Sequence, residues 1–155
     1  NRNGGTSRHC PQCQTDHFPR VDPVAIVLVT HGERCLLGRS GKYESTLYSA
    51  LAGFVEHGES IEEAARREIK EESGIEVGEV TYVASQPWPF PYSLMIGCYG
   101  EALTETIVLD EDELVDARWF TKDHLRTALA GTADDLTVPG RLAIARYLIE
   151  KWVAQ

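Results

Sequence analysis

Residues 53–75 read GFVEHGESIEEAARREIKEESGI. Glu59 and Ser60 mark the start of a helix that we expect to run to Ser73. Gly74 marks its end, because glycine is the usual residue after a last helical turn. In front of the helix, residues 48–54 are apolar but interrupted by Gly53, as expected of a strand that meets a turn. The stretch therefore predicts a strand, a loop and one central helix.

The helix carries its acidic residues in an unusual place. A helix turns about 100° per residue. On that projection Glu68 and Glu72 continue the stripe that is apolar in the first turns, and Glu71 lies beside it. An ordinary solvated charge run would instead place its acids opposite the apolar residues. Partly buried carboxylates repel one another unless cations compensate, and Mg²⁺ or Mn²⁺ suits such oxygen ligands. The apolar members of the stripe are Ile61, Ala64 and Ala65.

The same stretch matches every specified position of the Nudix box, G-x5-E-x7-R-E-U-x-E-E-x-G-U, where U is apolar. The chain therefore resembles Nudix hydrolases. The resemblance implies an α/β fold, a Nudix α/β/α sandwich with a mixed sheet, that hydrolyses nucleoside diphosphates linked to another group. It implies that Glu68 and Glu72 bind the metal and that Glu71 is a further ligand or orients water. Arg67 would hold the carboxylates, and Glu59 would be structural. The matching positions are Gly53, Glu59, Arg67, Glu68, Ile69, Glu71, Glu72, Gly74 and Ile75.

Apolar runs on either side of the box indicate further strands. Residues 24–29 (VAIVLV) form a short β-branched run that predicts a buried strand. Strands are also predicted at 35–38, 77–84, 94–103 and 116–120. A helical turn begins at Thr121, and a last amphipathic helix starts near Pro139. Its predicted apolar face carries Leu142, Ala145, Ile149 and Trp152.

A second motif, SQPWPFPYSLM, occupies residues 85–95. Three prolines in five residues predict a stiff, extended loop, because proline cannot sit in a central strand. Such a loop would display Trp88 and Phe90 for stacking on a flat ring, with Gln86 and Ser93 offering hydrogen bonds. A proline-stiffened connection whose aromatic rings cover the core explains the same residues equally well.

The second motif, placed after the box, resembles the NADH pyrophosphatase subfamily. That resemblance implies hydrolysis of NAD(H) to nicotinamide mononucleotide and AMP, with removal of NAD caps from RNA as an extension. It also implies that the Ala52 carbonyl and Glu113 bind metal. Phe18, Ala145 and Glu113 would contact substrate, as would the motif residues Gln86, Trp88, Phe90 and Ser93.

The pair Cys10-Pro-Gln-Cys13 has the spacing of half a zinc site, although a redox pair or two ordinary thiols share it. Residues 1–20 resemble the second half of the subfamily's four-cysteine zinc ribbon. We therefore expect a partial zinc-ribbon segment at 1–20 and a Nudix domain at 21–155. With two ligands, Zn²⁺ should bind weakly or not at all. Family members dimerise partly through the N-terminal region, so a homodimer is a further expectation.

The net charge of the chain disfavours one class of function, general nucleic-acid binding. The 155 residues carry 15 basic and 24 acidic side chains, a net charge of −9. This balance disfavours tight general binding of RNA through its phosphates. No apolar run approaches a membrane span and no targeting segment is evident, so a cytoplasmic protein is the expectation. Besides NADH or NAD⁺ hydrolysis, two alternatives stay open: a broader hydrolase of ADP-ribose or similar nucleotides, and a non-catalytic module that senses a nucleotide.

Overall fold

The computed structural model describes residues 1–42 and 46–155. Within these ranges, a short 3₁₀ turn, Asn3–Gly5, precedes eight strands and three α-helices. The strands are β1 (Arg8–His9), β2 (Asp16–His17), β3 (Asp22–His31), β4 (Arg34–Arg39), β5 (Leu51–Phe54), β6 (Val77–Trp88), β7 (Ser93–Ala102) and β8 (Asp116–Thr121). The helices are α1 (Ile61–Ser73), α2 (Lys122–Ala130) and α3 (Ile144–Val153).

The six-stranded sheet is mixed. Strands β6, β7, β3, β4 and β8 lie side by side in that order. Strand β5 pairs with residues 24–27 of β3, next to the half of β3 that pairs with β4. Strands β3 and β7 are parallel, and the other pairings are antiparallel. This confirms the predicted mixed sheet.

Helices cover both faces of the sheet. Along β3, Ala25, Val27 and Val29 pack into a cluster with α1 residues such as Ile69. The intervening residues of β3 pack into a second cluster on the other face, built with α2 and α3. A strand covered on both faces is apolar at every position rather than at alternate ones, which explains the uninterrupted run at 24–29. The predicted α/β/α sandwich is confirmed.

Helix α1 has the predicted ends. Ser60 accepts a hydrogen bond from the Glu63 backbone, and the Glu63 side chain accepts one from the Ser60 backbone. This reciprocal capping box satisfies two amides of the first turn. Gly74 ends the helix in the left-handed conformation, with φ +71°. The buried positions include Ala64 and Ala65, as the stripe of apolar residues predicts.

Two sequence predictions need correction. The segment predicted as a proline-stiffened loop belongs in part to β6, which continues to Trp88, and Pro87 pairs with Leu94. Because β6 is an edge strand, with no neighbour on one side among the described residues, a proline, which lacks a backbone N–H, is tolerated there. The last helix begins at Ile144 rather than near Pro139. Leu142 therefore lies outside it and is 87% exposed.

The N-terminal segment forms a small separate hairpin, in which β1 and β2 pair antiparallel. Within the described ranges, none of the helices combines the length and apolar character that crossing a bilayer requires.

Candidate active site

One concavity of about 550 Å³ lies between the end of β5, the last turns of α1 and the loop before β8. It brings together all five residues predicted to bind metal, although they lie up to 61 positions apart in the chain. These residues are Ala52, Glu68, Glu71, Glu72 and Glu113. Four of the five are carboxylates, so the concavity carries a concentration of oxygen donors.

Gly53 makes room for one of these carboxylates. A Cβ built on Gly53 would stand 1.8 Å from Cδ of Glu68 and 2.1 Å from each of its carboxylate oxygens. No other residue type fits at position 53 while Glu68 keeps this position. The close approach of strand and helix therefore requires glycine here, and it holds the Glu68 carboxylate against the backbone of β5.

Arg67 organises the carboxylates around it. Its Nε and Nη2 donate to the two oxygens of Glu59, at 2.6 and 2.8 Å. Its Nη1 donates to Glu68 at 2.9 Å and to Glu71 at 3.2 Å, and Nη2 also reaches the carbonyl of Phe54 at 3.0 Å. A planar guanidinium can hold this set because its five donors lie in one fixed fork. Arg67 thereby links α1 to the loop that precedes it.

The charges of the site shift two pKa values in opposite directions. Hydrogen bonds from Arg67 and from the Glu56 backbone lower the pKa of Glu59 to about 2. Burial, followed by the nearby charges of Glu68 and Glu113, raises the pKa of Glu72 to about 7. Asp110 and Glu71 add to the same rise. The cluster thus holds more negative charge than its one arginine neutralises.

A divalent cation fits this donor set. Hard cations such as Mg²⁺ and Mn²⁺ prefer carboxylate and carbonyl oxygens, and Ala52, Glu68 and Glu72 offer them on one wall. As the side chains stand in the described part of the chain, no three His, Cys, Asp or Glu groups form a complete metal-binding set. One oxygen of Glu68 and one of Glu71 accept hydrogen bonds from Arg67 Nη1, which leaves the second oxygen of each carboxylate outside these bonds.

The residues predicted to contact substrate are dispersed. Trp88 and Phe90 pack edge to face, 5.5 Å between ring centroids, at the turn between β6 and β7, with Phe90 largely exposed. Ser93 begins β7 opposite Trp88. Phe18 is exposed beside the N-terminal hairpin, in a separate depression with His17. Ala145 is buried in the core, at 4% exposure.

Gln86 has a structural partner that its sequence position did not indicate. Its Oε1 accepts the Ile144 N–H at 2.9 Å, and its Nε2 donates to the Leu142 carbonyl at 2.6 Å. Ala143 offers no side-chain cap to α3, so Gln86 caps this helix from the neighbouring strand. Half of the hydrogen-bonding capacity of this amide, one donor and one acceptor position, is therefore used within the chain.

Sequence reasoning missed three residues of the concavity, which are Phe54, Glu56 and Asp110. Phe54 lies at its edge, is 57% exposed, and also lines a neighbouring depression with Arg20 and His57. Because side chains alternate along a strand, the side chain of Phe54 lies on the face of β5 opposite to Gly53 and Glu68, and the sequence carried no signal that it borders the site. Asp110 also lines the concavity. Its only sequence signal is its place in the acidic run 110–113.

The cysteine pair lies at the tip of the β1–β2 hairpin. The Cys10 backbone N–H bonds to Thr15, and its carbonyl accepts the Gln14 N–H. Hydrogen bonds from Thr15, Cys10 and His17 lower the pKa of the Cys13 thiol to about 7. The turn presents two accessible thiols, but the zinc ribbon and the division at residue 20 stay predictions.

Comparison with known proteins places this site in a family. The model of the NUDIX domain matches residues 19–138. A crystal structure of a NUDIX hydrolase from Nitrosomonas europaea superposes with a TM-score of 0.71, covering 95% of this chain and 81% of that one at 20% sequence identity. At this identity the likeness shows the fold alone.

Curated relatives are more similar in sequence. The NAD-capped RNA hydrolase NUDT12 of Homo sapiens is 48% identical over 150 residues, 93% of this chain and 32% of the relative. The NAD-capped RNA hydrolase NudC of Stutzerimonas stutzeri is 44% identical, over 99% of this chain and 52% of the relative. The mitochondrial NAD(P)H pyrophosphatase NUDT13 of Mus musculus is 45% identical, over 96% and 46%. The chain thus spans a third to a half of these relatives.

The domain match covers more than half of the chain, and the relatives share nearly half of its residues across almost all of it. This chain belongs to the NUDIX domain family.

Proposed function

We propose that this chain hydrolyses the pyrophosphate bond of NADH or NAD⁺ to a nicotinamide mononucleotide and AMP, and that it removes NAD caps from RNA by the same cleavage. The observation that carries the proposal is the convergence of Glu68, Glu72, Glu113 and the Ala52 backbone on one concavity. The choice of NAD(H) is supported by the names of relatives that are 44–48% identical.

The concavity needs a cation before it can accept a pyrophosphate. Its carboxylates repel an anionic substrate, so Mg²⁺ or Mn²⁺ would be held by Glu68, Glu72 and the Ala52 carbonyl, with Glu71 and Glu113 as further ligands. When bound, such a cation neutralises phosphate charge and lowers the pKa of a coordinated water. Mg²⁺ or Mn²⁺ use is typical of the family and is proposed for this chain.

The residues of the chain then have distinct tasks. Arg67 fixes the rotamers of Glu68 and Glu71 through its fork of hydrogen bonds. Glu72 is held partly buried beside the other carboxylates, where a bound cation would offset the desolvation and the repulsion that raise its pKa in the metal-free chain. Glu71 is the most exposed of the helix carboxylates that Arg67 contacts, at 60% of its side chain, and suits the orientation of water.

Aromatic rings offer places for the flat ends of the substrate. Phe54 lies beside the carboxylates with more than half of its surface exposed. We propose that it stacks on the base or nicotinamide ring next to the scissile pyrophosphate, and that Trp88 and Phe90 contact the more distant part of the substrate. Stacking on an aromatic ring contributes about 1–3 kcal/mol per base. The homodimer, the cytoplasmic location and weak zinc binding remain predictions of the sequence.

A substrate panel tests this function. The full chain is incubated with NADH, NAD⁺, ADP-ribose and an NAD-capped RNA, with Mg²⁺, Mn²⁺ or chelator, and kcat/KM is compared. We expect metal-dependent cleavage with kcat/KM for NADH or NAD⁺ at least tenfold above that for ADP-ribose. Preference for ADP-ribose would support the broader hydrolase instead. Nucleotide binding without cleavage of any substrate would support the sensing module.

A further inference from the structure

The loop that carries Glu113 is attached to the end of α1. The Val108 N–H donates to the Ser73 carbonyl at 2.9 Å, and the Asp110 N–H donates to the Glu72 carbonyl at 3.1 Å. Carbonyls of a last helical turn have no partner within the helix. The loop satisfies two of them, so its path is tied to the turn that bears Glu72.

Asp110 is hydrogen-bonded both to the end of α1 and to Glu113. Its carbonyl accepts the Glu113 N–H at 3.2 Å and the Leu114 N–H at 2.9 Å. Its carboxylate Oδ1 accepts the Asp112 N–H at 3.0 Å, which closes the turn. Two consecutive backbone hydrogen bonds therefore join Glu72 to Glu113 through Asp110. The side chain of Asp110 holds the intervening turn in shape.

We propose that Asp110 is a positioning residue, which fixes Glu113 opposite Glu72 so that both face the same concavity. The inference rests on the metal site of the proposed function. Glu113 lies on an exposed loop, where a free side chain and backbone would lose entropy on binding a cation. A turn that is already closed removes much of that cost, as supporting residues around metal ligands generally do.

A competing explanation is that Asp110 acts through its charge alone, because it also lines the concavity. Two variants separate the explanations. Asp110→Asn keeps a short side-chain oxygen for the Asp112 N–H but loses the charge. Asp110→Glu keeps the charge but moves the carboxylate one methylene away from the turn. A positioning role predicts that asparagine substitutes well and glutamate poorly.

Mn²⁺ affinity of the full chain, measured by electron paramagnetic resonance of free Mn²⁺, tests the role without any substrate. We expect Asp110→Ala and Asp110→Glu to weaken Mn²⁺ binding about tenfold, the usual size of a supporting-residue effect. Asp110→Asn and the control Asp112→Ala should stay within twofold of the wild type. In a Glu113→Gln background, Asp110→Ala should add less than twofold, because it acts through Glu113.

The result that overturns the inference is equal weakening by Asp110→Asn and Asp110→Ala, or effects of Asp110→Ala and Glu113→Gln that multiply. A wild type that binds no Mn²⁺ would overturn both this inference and the proposed metal site. A wild type that shows the expected Mn²⁺ pattern but cleaves no NADH would contradict only the proposed substrate. Amide hydrogen exchange of Glu113 gives a second measurement, which should speed up in Asp110→Ala and not in Asp110→Asn.

Discussion

The carboxylate of Glu68 occupies the space in which a Cβ of residue 53 would stand, with Cδ only 1.8 Å from that position. The relationship joins the end of β5 to the third turn of α1. It makes the placement of a predicted metal ligand depend on the absence of a side chain on the opposite element.

Gly53→Ala is therefore expected to expel Glu68 from its position. Mn²⁺ affinity should fall at least tenfold and NADH turnover at least a hundredfold, while the overlap costs about 1–3 kcal/mol of stability. The measurements are Mn²⁺ titration, kcat and urea unfolding. Gly140→Ala is the control, because a Cβ there meets nothing within 4 Å. Unchanged Mn²⁺ binding in Gly53→Ala would contradict the assignment of Glu68 as a ligand.

The ion pair between Glu59 and Arg67 predicts that the stability of the protein depends on pH below about 4.5. The pKa of Glu59 is lowered to about 2 in the folded protein, against about 4.5 for the ordinary group. The unfolded state thus binds more protons between these values, and stability must fall as pH drops from about 4.5 toward 2. Arg67→Met should return the pKa of Glu59 toward 4.5. NMR titration of the Glu59 carboxyl group measures this change. A Glu59 pKa that stays near 2 in this variant would disprove the role of Arg67.

The raised pKa of Glu72 predicts the opposite pH dependence of stability in the metal-free protein. Its pKa is raised to about 7, so the folded state binds more protons than the unfolded state between pH 4.5 and 7. Stability should then fall as pH rises through this window, since protonated Glu72 is the better-tolerated form. Glu72→Gln should remove the decline and raise the melting temperature at pH 8 by about 2–5 °C. Thermal melts with chelator present, at pH 5 and pH 8, measure both. A wild type equally stable at the two values, or a Glu72→Gln variant that melts lower at pH 8, would count against this account.

Gln86 is expected to act on stability before it acts on substrate. Gln86→Ala removes the side-chain partner of the Ile144 N–H and should cost about 1–2 kcal/mol, as the loss of a helix cap does. Urea unfolding measures this, and Ser85→Ala on the same strand is the control. Loss of NADH affinity at full stability would instead restore the substrate role that the sequence predicts.

Phe54 and Phe18 offer a direct contrast between structure and sequence. Phe54→Ala should raise KM for NADH about tenfold or more if its ring stacks on the substrate. Phe18→Ala, which removes a more exposed ring in a different depression, should change KM less than twofold. If the larger effect follows Phe18→Ala, the sequence-based assignment was right and the position of Phe54 is incidental.

Trp88 tests the more distant contact. Trp88 packs on Phe90 at an exposed turn, where its ring is open to a ligand. If this ring contacts the nicotinamide, Trp88→Ala should raise KM for NADH more than KM for ADP-ribose, which lacks the nicotinamide. Equal changes for both substrates would mean that Trp88 supports the turn and does not recognise the nicotinamide.

Features that depend on residues close together in the sequence were predicted more accurately than features that depend on distant residues. Helix α1, its start at Glu59 and Ser60 and its end at Gly74 depend on neighbouring residues and were predicted correctly. Glu68, Glu71 and Glu72 lie within two turns of one helix, so their common placement was predictable from the helical period. Glu113 came from a family resemblance rather than from spacing.

The features that the sequence did not show depend on contacts between distant parts of the chain. Pro87 suggested a loop because the sequence does not show that its strand is at the edge of the sheet. Gln86 looked available because its partners, Leu142 and Ile144, lie more than fifty residues away. The exposure of Phe54 depends on the packing of β5 against β3, and Asp110 becomes significant only once its loop is seen to bond to the end of α1.

The most direct test of the central claim is product analysis of NADH incubated with the wild type and with Glu72→Gln, with Mg²⁺, with Mn²⁺ and with chelator. Glu111→Gln, an acid of the neighbouring loop, is the control. We expect AMP and reduced nicotinamide mononucleotide from the wild type and the control only when metal is present. Glu72→Gln should remain folded and yield at least a hundredfold less of both products. Equal product from Glu72→Gln, or cleavage that persists in chelator, would contradict the claim that the carboxylates of α1 carry out a metal-dependent hydrolysis.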